Sequence, residues 1–145
     1  MSNKLVKPQQ QNNVIVVDDG SKAYDIVNKR GKKLGVFEFR PSDTNIVKRY
    51  EEVVDFFNNF SLPENSEKAM QEAESQMVEK MSYLIGGDAG DAFFSIMGPF
   101  SALASGELFV ENVLASIAKV IENELSIRTK RVQRRMNKYV AKYHK

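Results

Sequence analysis

Positions at intervals of four and three, apolar except for Arg128, run from Ile117 to Tyr143, and nothing else constrains the fold of this chain as strongly. The positions are Ile117, Ile121, Leu125, Arg128, Val132, Met136, Tyr139 and Tyr143. Side chains three and four apart share one face of an α-helix. The spacing therefore predicts a last helix that begins near Ser105, runs to about Tyr143 and projects from the rest of the domain. The same spacing recurs earlier. Ile46, Tyr50, Val53, Phe57 and Phe60 predict a helix capped by Ser42 or Asp43. Met70, Ala73, Met77, Met81 and Leu84 predict another, with Pro63 in its first turn and Gly86-Gly87 at its end. A short helix opens at Asp88 or Asp91 and closes at Gly98-Pro99.

Ahead of these helices the period changes. "AYDIVNKRGKKLGVFEF" holds two strand-like runs on either side of residues 28–33, where Gly31 can take the positive φ of a tight hairpin. "VIVV" at residues 14–17 is a candidate third strand, although it shows no alternation, and Arg40-Pro41 ends the sheet because proline cannot donate to a ladder. The fold class that follows is α+β and mainly helical: a small N-terminal β-hairpin packed on about four helices, with a long amphipathic C-terminal helix. The chain divides into a polar arm (residues 1–13), one α+β domain (14–127) and a basic helical extension (128–145).

With 145 residues the chain suits one domain able to bury a modest core, and 42% hydrophobic against 28% charged residues is ordinary for a soluble protein. It has no cysteine, so disulfides, thiolate metal sites and cysteine nucleophiles are excluded. The one histidine, His144, stands beside the C-terminal residue, where nothing would hold it for general-base work. Asp88 and Asp91 in "GGDAGDAF" provide too few oxygens at the spacing of a calcium loop, and helix capping accounts for them. "DDGSK" lacks the phosphate-cradling arrangement GxxxxGK[ST]. The residues therefore predict no enzyme, no cofactor and no metal. No apolar run is long enough for a membrane span, and the polar start lacks the apolar middle of a secretion signal.

Charge is unevenly placed. Residues 128–145 contain eight Lys or Arg and no acidic residue; removing these eight from 21 leaves 13 basic against 19 acidic residues in 1–127, a net of −6. At roughly 100° per residue, the basic residues of the end occupy an arc of about 160°. Val132, Met136, Tyr139, Val140 and Tyr143 occupy an adjoining arc of about 100°. Such a helix suits a protein partner or a neighbouring subunit, the apolar arc for packing and the basic arc against carboxylates. Arg128, Arg131, Arg135, Lys138 and Lys142 are its candidate contacts. A solvated helix end and nucleic acid, with Tyr139 and Tyr143 stacking on bases, stay open. A membrane surface would call for bulkier apolar residues. Further candidates come from "AFFSIMGPFSALASGELFV", which is more apolar than one short helix and a turn require. Phe93, Phe94, Phe100, Leu103, Leu108 and Phe109 are read there as a contact surface. The stripe Met70, Met77 and Met81 reads as core, with an adaptable partner surface as the second reading.

The succession of "FEFRPSDTNIVKRYEEVVDFF", the glycine-bounded "GDAGDAFFSIMGPFSALASGELFVENVLASIAKVIE" and the basic "RTKRVQRRMNKYVAKYHK" resembles the small tail assembly chaperones of long-tailed bacteriophages of Gram-positive hosts, over residues 35–145. The resemblance implies a non-enzymatic, oligomer-forming protein. It would bind the tape-measure protein and assist tail-tube subunits in the host cytoplasm, then leave before the virion is mature. Two other functions stand beside it: a small nucleic-acid-binding regulator using the basic C-terminal helix, and a permanent structural component of the virion.

Overall fold

The structure, a computed structural model, describes residues 13–64 and 66–143, with side chains as far as Ser126. Its elements in chain order are β1 (Lys22–Val27), β2 (Lys33–Phe39), α1 (Asn45–Asn58), α2 (Glu67–Ile85), α3 (Ala89–Ala92) and α4 (Phe109–Tyr143). This is a small α+β fold in which one antiparallel hairpin packs on helices.

The hairpin is built by its turn. Asn28 Oδ1 accepts hydrogen bonds from the backbone N–H groups of Arg30 and Lys32, at 2.9 and 3.0 Å. Its own carbonyl accepts from Gly31, which sits at φ 81° where a side chain would be strained. The register pairs Lys22 with Phe39 and Tyr24 with Phe37, and slips between Ile26 and Val27. Alternation does the rest. Tyr24 and Ile26, with Phe37 and Phe39, turn toward the helices, while Ala23, Asp25, Val27, Val36 and Glu38 face outward. Residues 14–17 form no strand, so among the described residues the sheet has two strands rather than three.

Pro41 is fully buried just past the sheet, and the chain turns into α1. Thr44 occupies the cap position without a side-chain bond, whereas the expected cap Asp43 closes the turn before it by accepting from the N–H of Asn45 at 2.9 Å. Asp43 also meets Arg49, whose Nε donates to the carbonyl of Leu84, so one guanidinium joins the start of α1 to the end of α2. α2 starts at Glu67, later than Pro63 suggested. Ser66 supplies the acceptor for an orphan N–H, its Oγ bonding the N–H of Ala69 at 2.9 Å, and Pro63 lies in the irregular segment before it. The helix ends as expected at Gly86, in the left-handed conformation at φ 72°.

Asp88 caps α3 by accepting from the N–H of Asp91 at 3.1 Å, and Ser82 at the end of α2 accepts from Ala89. α4 begins at Phe109, not near Ser105. The intervening residues are held in an irregular loop by an Ala102–Leu108 bridge and by bonds from Leu103 N to Glu107 O and from Gly106 N to Leu103 O. At its start Glu111 reaches back to the N–H of Leu108, at 2.8 Å. The helix then continues for 35 residues, about 50 Å at 1.5 Å per residue. This is the long C-terminal helix that the apolar spacing predicts.

The core lies between the inner face of β2 and three helices. Phe37 and Phe39 meet Ile46 and Val53 of α1, Met77, Met81 and Leu84 of α2, and Val110, Val113, Ile117 and Ile121 of α4. Met77 and Met81 are buried, which makes them core and removes them from any partner surface; Met70 is half-buried. No helix among the described residues is long and apolar enough to cross a membrane.

Candidate functional site

Packing against the core leaves the hairpin and the first half of α4 apart on one side. An open, mainly apolar cleft of about 800 Å³ lies between them. Residues 24–29, which span most of β1 and the start of the turn, form one wall. Phe109, Val113, Ser116 and Val120, at three- and four-residue steps along α4, form another. Phe93, Ile96 and Met97 contribute from the turn after α3, and residues 103–105 from the loop before α4. Lys22 of β1 and Glu124 of α4 form an ion pair that links the two elements.

Sequence-derived candidates divide at this cleft. Phe93, Leu103 and Phe109 line it. Phe93 is only 8% exposed and its ring packs 5.4 Å from Phe37, so it belongs to the core floor and not to an outer contact surface. Phe94 stands behind the wall, edge-on to Phe109 at 5.9 Å. Phe100 is elsewhere, stacked 5.8 Å from Phe60 beyond the end of α1, and Leu108 is half-buried against the core. The six residues therefore do not make one surface. The side chains of Arg128, Arg131, Arg135, Lys138 and Lys142 lie outside the described residues, although the backbone of α4 is helical through all five.

Tyr24, Ile26 and Val120, which are not among the sequence-derived candidates, also line the cleft. The available signal was their periodicity: Tyr24 and Ile26 alternate with exposed residues along β1, and Val120 lies three residues after Ile117 on α4.

The charges around the cleft are few. Asp25, Lys29 and Glu107 border it, and Asp25 is paired with Lys33 at 3.5 Å. Burial pushes the Tyr24 phenol above its ordinary pKa, which keeps it a neutral donor. Among the described residues no three His, Asp or Glu side chains are placed to hold a metal ion. What the walls offer a ligand is apolar surface with a few hydrogen-bonding groups, the Asn112 amide and the Ser116 hydroxyl among them. No family model matches the chain, nor does any curated protein or solved structure.

Proposed function

We propose that the protein is a non-enzymatic tail assembly chaperone that holds a segment of the tape-measure protein and assists tail-tube assembly. The observation that carries this reading is the apolar cleft between β1 and α4, whose lining among the described residues includes only three charged side chains. A polymer-forming client has to be shielded from water without being chemically altered, and an open groove of mixed aromatic and aliphatic side chains does that. Val120 can meet an apolar face of a client helix, and Met97 adapts to its shape.

The charge distribution supports the same reading. A net −6 over residues 1–127 opposes phosphate backbones, while eight basic residues in 128–145 suit acidic protein surface on a client or a neighbouring subunit. The protein then acts in the host cytoplasm and is missing from finished particles.

Co-purification with a tape-measure fragment tests the cleft directly. Met97→Asp and Val120→Asp place a charge on half-buried wall positions; each is expected to lose the client while its circular dichroism stays that of the wild type. Equal recovery of client by well-folded variants rejects the cleft as the binding site. Mass spectrometry of purified virions separates a chaperone, which is absent, from a permanent component. Binding of DNA or RNA by the wild type, steeply weakened by salt and lost on truncation after Ile127, would favour the regulator instead.

A further inference from the structure

Most of the large apolar side chains that the described residues leave exposed lie near the N-terminal sheet: residues 14–17, with Val27, Leu34 and Val36. Val14, Ile15, Val16 and Val17 are exposed by 59, 90, 88 and 72%. Four β-branched residues in succession favour extended backbone, and without alternation they suit a strand that is covered on both faces.

The sheet has a place of that kind. β1 pairs with β2 along one edge, and among the described residues no strand lies on its other edge. To one side of that open edge is the apolar cleft, which β1 lines with consecutive residues from Tyr24 onward. To the other is the outer face of the hairpin, where Val27 and Val36 are 54 and 52% exposed. A strand laid along β1 would direct one row of side chains into the cleft beside Tyr24 and Ile26, and the other into line with Val27. Both rows would meet apolar surface, as the sequence VIVV requires. Four extended residues span about 13 Å and fit within the roughly 20 Å of six-residue β1.

We infer that residues 14–17 of a second copy of this chain add to the open edge of β1 as a third strand. The second copy is preferred to the same chain because of how the arm is fastened. Arg40, next to Phe39 at the end of β2, donates two hydrogen bonds to Asp19 Oδ2, at 3.0 and 2.8 Å. Asp18 and Asp19 close the link to β1 by accepting from the N–H groups of Gly20 and Ser21. The arm is thus held at the β2 side of its own sheet, and the β1 edge stays open to another copy's arm. Exchange of this kind covers an open strand edge and an apolar arm together. It uses no part of the chaperone reading and stands whether or not a client is found.

Cysteine cross-linking tests this in the full chain, which has no cysteine of its own. One preparation carries Val16→Cys, and a second carries a single cysteine at Ala23, Asp25 or Val27. Mixed and oxidised, the two preparations are expected to give a covalent mixed dimer for at least one pairing, since a disulfide forms only when Cα atoms come within about 7 Å. Adding Ile15→Asp and Val17→Asp to the arm should reduce that dimer at least tenfold and leave a monomer in sedimentation. Absence of the mixed dimer overturns the proposal, as does a dimer whose yield ignores the charged arm. If both cysteines in one chain cross-link only within that chain, the third strand is the chain's own and the second copy is wrong.

Discussion

Helix α2 and the arm at residues 14–17 are both rich in large apolar side chains, and they end in opposite situations. Met81 and Leu84 are fully buried, whereas Ile15 is 90% exposed. The difference lies in arrangement. α2 spaces Met77, Met81 and Leu84 by four and three residues, so one stripe enters the core while Glu72 and Glu79 remain in water. The arm is apolar on both sides, and the described residues of its own chain cover neither. Apolar character alone does not place a residue inside; it must be patterned so that burying one face leaves the other hydrated.

The greatest contrast is expected from truncation. Leu84→Ala should destabilise the protein by about 2–5 kcal/mol in denaturant unfolding, through lost burial and the cavity it leaves. A loss below about 1 kcal/mol would show that the site collapses and that α2 is not the centre of the core. Gly86→Ala tests the end of the same helix. A Cβ at that position meets nothing within 4 Å, so the expected cost of about 1–2 kcal/mol is backbone strain at φ 72° alone. Ser66→Ala removes the acceptor at the other end and should cost about 1 kcal/mol, with Ser66→Asp restoring it.

At the arm, Ile15→Asp should shift monomer unfolding by no more than about 0.5 kcal/mol, because the side chain is already in water. A larger loss under dilute conditions would mean that the arm packs on its own body, and the contrast with α2 would fail. The smallest effect concerns the tether. Hydrogen bonds from Ser21, then the Arg40 guanidinium, hold the Asp19 carboxyl down at about 2. A depressed carboxylate contributes its stability in full above its unfolded pKa and loses it as pH falls through the folded value. The tether should therefore persist at pH 4 and release toward pH 2. An NMR titration of Asp19 with its midpoint near 2, raised by Arg40→Gln, would sharpen the picture; an ordinary midpoint would remove the tether.

Much of this architecture was legible in the chain itself. Local chemistry decided the elements: four-and-three spacing for α1, α2 and the whole of α4, the left-handed Gly86 at the end of α2, the turn around Asn28 and Gly31, and Asp88 as the cap of α3. Each depends on residues within a turn or two of one another, which is the range over which sequence and conformation are coupled. α1 stopped at Asn58, short of Phe60, and α3 at Ala92, short of Gly98-Pro99, while the starts of α2 and α4 were decided by competing local bonds. Ser66 began α2 in place of Pro63, and the loop before α4, bridged from Ala102 to Leu108, delayed that helix to Phe109.

Tertiary structure alone decided which apolar residues were consumed by the core and which were left to form a site. Phe93 and Phe100 stand seven positions apart in one run, yet one packs on β2 and the other on Phe60 beyond α1. The cleft joins Tyr24 to Val120 across nearly the whole described domain. Spacing along a chain carries no record of such a meeting, because it arises from how the hairpin and α4 are held apart by the core between them. For the same reason VIVV looked like a strand: its residues carry the propensity, but a strand also needs a free edge, and the chain's own sheet did not bring one to it.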